Sequence, residues 1–364
     1  MIRADIAIVG AGMAGASIAA EIGSTARVVL IEGESRPGYH ATGRSAAFWS
    51  ETYGGPAVQP LTTASGDWLR KGGFLRDRGA LHIADAEGEA ALAKMQAEFA
   101  DSGVALHPVD RARLETVLPG LAAEWRIGLA EPTCSDIDVA ALHTHYLGIA
   151  RQAGVDLLAD AAVMAIEKGS GGWRIETRAG LVEAAILINA AGAWASEIAA
   201  MAGAGPIVIT PYRRTIVQLA VDPPASSDLP LVVDALGRFY FKPEAGGRLW
   251  LSPHDEAPSA ACDAAPEEID VAIAIDRYER LGLCRSIVKE HAWAGLRSFA
   301  PDRAPVYGFD DRAPGFFWFA GQGGFGIQTA PAAAMIGAAL VMGRSLPEPV
   351  SSIDPARYSP TRFR

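Results

Sequence analysis

Residues 10–15 read Gly-Ala-Gly-Met-Ala-Gly, directly after the apolar run 5–9 (DIAIV) and directly before Ala-rich helical sequence that reaches about Ile22. A second apolar run, 27–31 (RVVLI), is closed by Glu32. Strand, glycine turn, helix and strand in this order predict a compact βαβ unit. The glycine spacing is G-x-G-x-x-G, and each position has a physical task. Gly10 allows a tight turn, Gly12 lets backbone approach a pyrophosphate, and Gly15 permits close helix–strand packing. The amides at Met13 and Ala14 open the helix, whose N-terminus faces the anion. Glu32 stands where a carboxylate accepts hydrogen bonds from ribose hydroxyls, which favours FAD or NAD over a 2′-phosphorylated dinucleotide.

A βαβ unit accounts for a small part of 364 residues, and that length predicts about two domains. The chain carries 32 basic and 42 acidic side chains, a net charge of −10, which argues against a nucleic-acid partner. Cys134, Cys262 and Cys284 are scattered, with no CxxC and no His/Cys cluster. This predicts no disulfide scaffold and no metal site, with the cysteines as buried fillers in a reducing cytosol. The N-terminus enters strand-like sequence at once, so no signal peptide is expected. Residues 313–343 carry no charge, but Gly321, Gly323, Gly324, Gly326 and Pro331 interrupt them. We read a buried strand, a glycine loop and a buried helix from about Gln328, and no transmembrane segment. The setting expected is cytoplasmic, or peripheral to the inner membrane.

Further along, 33–60 reads as a long loop, 87–101 and 137–153 as helices, and 155–158 as a strand. A β-hairpin is expected over 161–187, turning at 169–172, followed by the strand ILINAAG. Residues 207–252 alternate as β-structure, and 266–284 form a helix. The fold class expected is mixed α/β, a Rossmann-like FAD-binding domain with a β-rich substrate domain. The FAD-binding part takes 1–80, 150–205 and 290–364, and the substrate part 81–149 and 206–289. FAD is preferred to NAD because three further small-residue segments, 35–47, 186–192 and 316–326, suit a second line of contacts along a large cofactor.

Several stretches together resemble the glycine/D-amino acid oxidase family of FAD-dependent amine oxidoreductases. They are GAGMAGAS (10–17), PGYHATGRSAA (37–47), INAAGAW (188–194), FYFKPEAG (239–246), WAGLRSF (293–299) and GFFWFAGQGGFGIQT (315–329). The resemblance spans essentially the whole chain, and within the family it is greatest to the bacterial D-arginine dehydrogenases. It implies oxidation of a Cα–N bond by hydride transfer to the flavin. The FAD contacts expected, beyond Gly10, Gly12, Met13, Ala14, Gly15 and Glu32, fall in four groups. They are Gly33, His40, Thr42, Gly43, Arg44, Ser45, Ala46 and Ala47; Val163, Ala191, Gly192 and Trp194; Gly295 and Arg297; and Gly323, Gly324, Phe325, Gly326, Ile327 and Gln328. His40 is also where covalent attachment of the flavin would occur, though dissociable FAD is favoured.

The resemblance places the substrate beside Arg214, Arg297, Tyr240, the lid residue Tyr53, and Gly324. Arginine's planar fork suits an α-carboxylate taken from water, and of Arg213 and Arg214 the second is chosen to face it. Two departures matter. The arginine enzymes hold the guanidinium with a glutamate that here aligns with Gly79, and their active-site histidine falls on Phe48. Glu51 is the one nearby carboxylate able to compensate. Phe48, Trp49, Tyr53, Tyr212 and Phe325 are expected to add apolar surface. The reading is therefore oxidative deamination of D-amino acids with neutral or apolar side chains, to 2-oxo acids. The electron acceptor is oxygen, a quinone or a carrier protein. The alternatives are a glycine- or sarcosine-type secondary-amine oxidase, a 2-hydroxy acid oxidoreductase, an NAD-dependent dehydrogenase, or a non-catalytic FAD-fold protein.

Overall fold

The computed structural model describes residues 1–169, 171–284 and 286–364, with two large sheets. The first has eight strands. Gly180–Asn189, Ile2–Val9, Val28–Ile31 and Asp156–Leu158 lie side by side, all parallel. The open edge of Gly180–Asn189 is shared. Its first half pairs with Gly172–Thr177, which pairs with Val163–Gly169, and its second half pairs with Phe316–Ala320. The expected single hairpin is thus a three-stranded meander, and Ser170 in its first turn lies outside the described residues.

Both faces of this sheet are covered, so its strands read as continuous apolar runs. Ile6, Ile8, Leu30 and Ile188 point to one face and pack with Ile18, Ile22 and Ile336 of the helices Met13–Ile22 and Ala330–Val341. Ala7, Val9, Ile31 and Leu187 point to the other, against Trp173, Ile198, Phe316 and Trp318. The charge-free C-terminal stretch becomes the strand Phe316–Ala320 and the helix Ala330–Val341, with Pro331 in its first turn. Among the described residues no helix is long and apolar enough to cross a membrane.

The second sheet has ten strands. Its path runs through Gln322–Gly323, Ser286–Phe299, Thr210–Asp222, Arg248–Ser252, Tyr240–Glu244, Leu231–Asp234, Ala80–Ala84, Ile127–Glu131 and His107–Val109, and Ala257–Pro258 pairs with Thr210–Asp222. Strand alternation gives it two faces. Val217, Leu219, Phe241 and Leu249 pack under the helices Arg111–Val117 and Glu268–Glu279, through Leu114, Val271, Ala274 and Tyr278. Ile216, Leu231, Tyr240 and Ala80 face the other way and meet Ala46 of the loop that follows Glu32.

Two elements sit across the division drawn from sequence. Helix Val139–Gln152 packs on Met13–Ile22, and strand Ser286–Phe299 belongs to the ten-stranded sheet. Helix Gln59–Lys71, partly inside the expected loop 33–60, is amphipathic and buries Leu61, Thr62, Ser65 and Leu69.

Candidate functional site

The glycine loop has the geometry a dinucleotide requires. Gly10 has φ +99°, and a Cβ there would lie 2.4 Å from the Ala190 carbonyl oxygen. A Cβ on Gly15 would lie 1.7 Å from the Gly10 carbonyl oxygen, so helix and turn touch through backbone alone. Glu32 accepts from the Ala11 amide at 2.9 Å and from the Glu34 amide at 3.0 Å, which fixes its carboxylate at the rim of the turn. The Thr42 hydroxyl accepts from the Met13 amide at 2.9 Å. His143 lies under the loop, and its Nε2 donates to the Ala11 carbonyl at 2.9 Å. Burial holds its pKa below the ordinary histidine value, against that hydrogen bond and the Glu32 charge.

These residues open onto a cleft of about 460 Å3 between the two sheets. Its wall includes Gly10, Gly12, Met13, Ala14, Glu32, Gly33, His40, Thr42, Arg44 and Ser45. It continues through Val163, Ala191, Gly192, Trp194, Gly295, Arg297, Gly323, Gly324, Gly326 and Ile327. Small residues, backbone amides and a carboxylate at the rim suit a long dinucleotide such as FAD. The other residues expected at the cofactor stand behind this wall. Gly15 and Gly43 pack on the carbonyls of Gly10 and Gly38. Ala46 is buried with Tyr240 and Ile216, and Ala47 takes a left-handed turn at φ +59°. Phe325 packs with Val58 and Phe299. Gln328 is 2% exposed and holds backbone, donating to the carbonyls of Ser50 and Tyr53 at 3.1 Å each.

Arg44 joins the two halves. Its guanidinium donates to the carbonyls of Ala264 (2.9 Å) and Ala294 (3.2 Å) and pairs with Asp263, whose other oxygen takes the Tyr39 hydroxyl at 3.1 Å. His40 pairs through Nε2 with Glu34 at 2.9 Å and lies against Trp194, with its Nδ1 buried and unpartnered among the described residues. The cysteines correct the expectation of uniform burial. Cys134 is buried, but Cys262 is exposed and on the cleft wall, because residues 259–264 cross over Arg44 rather than enter a core.

At one end of the cleft the structure gathers Arg297, Tyr240, Tyr53 and Gly324. The Arg297 guanidinium donates to the Tyr240 hydroxyl at 3.3 Å. A Cβ on Gly324 would lie 2.0 Å from the Tyr53 hydroxyl and 2.8 Å from Arg297 Nε, so all three meet around that glycine. Phe48 lies between the two tyrosines, with ring centroids 5.3 Å from Tyr53 and 5.8 Å from Tyr240. Arg297 has no acidic partner among the described residues. Arg214 is 1% exposed, donates to the Asp255 carbonyl (2.7 Å) and Glu256 (2.8 Å), and leaves Nη1 unpartnered. Burial and the nearby Arg297 charge lower its pKa. Arg213, one residue earlier and so on the opposite face, pairs with Glu267 and with Asp270 of the covering helix.

Other expected residues lie elsewhere. Trp49 alternates with Phe48, so it points away and donates its indole N–H to the Thr62 carbonyl at 3.1 Å. Glu51 accepts from the hydroxyls of Thr63 (2.6 Å) and Thr133 (2.9 Å), so each oxygen is already engaged. Gly79 has φ +75° and only the Glu131 carbonyl within 4.0 Å of a built Cβ. Tyr212 packs on Phe299 at the edge of the Tyr53–Phe325 cluster.

Sequence reasoning missed Glu131, His82 and His254. Glu131 is fully buried, with His82 Nε2 at 3.3 Å. His254 lies edge-on to Tyr240, its Nδ1 donating to the Gly237 carbonyl at 2.8 Å. Burial, then the charges of Arg214 and Arg297, push its pKa down to about 3. Only a scattered histidine or glutamate marks each of these in the sequence, without a motif around it.

The comparisons with known proteins agree with this architecture. Glycine oxidase from Geobacillus kaustophilus superposes with a TM-score of 0.84 at 23% identity, over 100% of this chain and 99% of that one. L-proline dehydrogenase from P. horikoshii superposes with a TM-score of 0.85, also at 23% identity and over 100% and 99% of the two chains. Among curated proteins, the hydrogen cyanide synthase subunit HcnC of Pseudomonas aeruginosa is 27% identical over 219 residues, 59% of this chain and 51% of that protein. The match thus spans about half the length of that relative. A family model described as DAO, FAD dependent oxidoreductase, matches residues 5–340, and the chain belongs to that family.

Proposed function

We propose that this FAD-dependent oxidoreductase deaminates D-amino acids with neutral or apolar side chains to 2-oxo acids. The observation that carries the reading is Arg297, a half-buried guanidinium on the cleft wall, bonded to a tyrosine hydroxyl and lacking an acidic partner among the described residues. A partly desolvated cation in that state is stabilised by an incoming carboxylate, and arginine takes one bidentately. Tyr240 adds a hydroxyl to the same carboxylate, Tyr53 closes the other side, and Gly324 leaves the space between them. Bound FAD supplies the hydride acceptor. The residues of this chain fix the carboxylate and so aim the Cα–H, and orientation of this kind is worth several kcal/mol of barrier. The substrate loses hydride from Cα and a proton from its neutral amine. The imino acid then takes up water to give the 2-oxo acid and ammonia.

The side-chain preference follows from what the pocket lacks. Gly79 offers no carboxylate, and Glu51 is engaged with two threonines. Burying a guanidinium or ammonium without a partner costs several kcal/mol, whereas Phe48 and Tyr53 offer apolar surface worth about 25 cal/mol per Å2 buried. The solved relatives, named for glycine, L-proline and L-amino acids, support a carboxylate-bearing amine as substrate. They also keep a small or secondary amine as the second reading. Our reading keeps the flavin dissociable: the His40 Nε2 is engaged by Glu34, and its Nδ1 is buried.

The test is anaerobic bleaching of the flavin by D-Met, D-Phe, D-Pro, D-Arg, glycine, sarcosine and L-Met on one preparation. Fastest bleaching by a neutral D-amino acid is expected. A clear win for D-Arg overturns the preference, and a win for L-Met overturns the handedness. Fastest bleaching by sarcosine or glycine selects the second reading.

A further inference from the structure

The residue before the amino-acid site that has no place in the chemistry above is Glu131. It ends the strand Ile127–Glu131, is 0% exposed, and its carboxylate is surrounded by donors from one short segment. One oxygen takes the Glu51 amide at 2.7 Å. The other takes the Ser50 hydroxyl at 3.0 Å and the Thr52 hydroxyl at 2.7 Å, with His82 Nε2 at 3.3 Å. Three consecutive residues, all immediately before Tyr53, thus converge on one buried carboxylate.

The same segment is gripped from the opposite side. Gln328 accepts from the Ser50 amide at 3.2 Å and donates to the carbonyls of Ser50 and Tyr53 and to the Thr62 hydroxyl. The chain turns only after the tyrosine, at Gly54 (φ +99°) and Gly55 (φ +72°). Neither Glu131 nor Gln328 bonds the Tyr53 side chain, yet between them they fix the backbone that carries it. An ionised carboxylate removed from water costs several kcal/mol, which an apolar residue of the same size would not. Here four donors offset that cost, and three of them come from residues 50–52.

We propose that Glu131 is a positioning residue that holds Tyr53 as a fixed wall of the amino-acid site, so that the carboxylate cradle of Arg297, Tyr240 and Tyr53 is preformed instead of assembled by a closing lid. The proposal rests on the reading of Tyr53 as part of that site. Burial alone pushes the Glu131 pKa up, but the bonds from His82, Thr52 and Glu51 hold it below the ordinary glutamate value, so the clamp keeps its charge. Charged and titratable groups around it are His82 from the neighbouring strand, the buried Cys134 thiol, and Glu51 from the clamped segment, whose own carboxylate faces Thr63 and Thr133.

The experiment uses the FAD-loaded full chain. Glu131→Gln keeps the size and one acceptor but removes the charge, and Thr52→Val is a milder second variant that removes a single donor. For Glu131→Gln, kcat/KM should fall by about 10- to 100-fold, mostly in KM. The double variant Glu131→Gln/Tyr53→Phe should be no worse than Tyr53→Phe alone, because one acts through the other. Amide exchange over residues 50–53 should be slow in the wild type and faster in both Glu131→Gln and Thr52→Val. Additive losses in the double variant, or exchange unchanged by Glu131→Gln, overturn the proposal. If no amine bleaches the wild-type flavin, the functional reading fails on its own. The clamp is then decided by amide exchange and by the shift that benzoate produces in the flavin spectrum of wild type and variant.

Discussion

Gly324→Ala should separate activity from stability. The backbone at Gly324 is not in the left-handed region, so an alanine is conformationally allowed there. Reduced freedom of the unfolded chain then favours the variant by about 0.4–1 kcal/mol. The new methyl, however, would stand 2.0 Å from the Tyr53 hydroxyl and 2.8 Å from Arg297 Nε. Carbon and oxygen need more than about 3 Å, so the hydroxyl must withdraw by about 1 Å, and the guanidinium by less. Both can give by side-chain rotation while the backbone that carries them stays in place. A displacement of about 1 Å at a positioning group costs on the order of 10²-fold in rate. The expected outcome is an unchanged or slightly raised Tm by calorimetry, with kcat/KM for a D-amino acid down by about 10²-fold. Full activity in this variant would refute the placement of the carboxylate between Tyr53 and Arg297.

Arg297→Met removes the charge partner of the carboxylate and should lower kcat/KM by about 10²-fold or more, with a decarboxylated amine little affected. Glu32→Ala should weaken FAD binding by about 1–3 kcal/mol, read by flavin release on dilution or by titration of the apoprotein. His254→Asn tests pH dependence, since asparagine tolerates the left-handed backbone found there (φ +56°). The folded pKa of His254 is depressed to about 3, so the stability it permits is complete above about pH 6.5 and is lost as pH falls towards 3. Between pH 7 and 5 this amounts to about 2 kcal/mol. The asparagine variant should lose less stability over that interval in urea melts, and equal losses in both proteins would disprove the assignment.

The βαβ unit was legible because its signal is local: strand, turn, helix and acid within residues 5–32 all serve one geometry. The helix Gln59–Lys71 was not, since its apolar stripe is interrupted by Gly66 and by threonine and serine at buried positions. Thr62 and Ser65 are buried because each meets a partner far away in sequence, Gln328 and the Ala332 amide. The charge-free stretch after Arg312 was legible as strand, loop and helix because its glycines cluster where the chain must turn.

Within the site, legibility followed the same divide. Arg297, Gly324 and the cofactor glycines sit in long motifs that carry their own context. Strand alternation separates Arg213 from Arg214 and sends Arg213 to Glu267 and Asp270, but neither arginine reaches the cleft wall, and Arg214 pairs with Glu256. Alternation also moved Trp49 away from Phe48, a consequence that depends on knowing that residues 48 and 49 form a strand. Glu131, His82 and His254 were invisible, and the role of His143 was too, because each works on backbone or side chains tens of residues away. Glu131 meets the Glu51 amide across 80 positions, and His143 meets the Ala11 carbonyl across 132.

That divide has a physical cause in the way the proposed carboxylate site is charged. Arg214 is buried and Arg297 half-buried, close enough that the charge of Arg297 bears on Arg214, yet only Arg214 has a carboxylate partner among the described residues, and Glu256 is shared with Arg303. An extra acid beside Arg297 would stabilise the empty protein, but it would compete with the substrate carboxylate for the same fork. The groups placed there instead are tyrosine hydroxyls, and the neutral His254 ring lies edge-on to Tyr240. These are dipoles, which solvate the cation without cancelling it. Dipoles act only when held in place, so the cost of leaving Arg297 unpaired is met by supports further out. Those supports are Glu131 and Gln328 behind Tyr53, and the Gly237 carbonyl behind His254. A site whose charge is left open for its ligand must therefore be built from residues that no local motif announces.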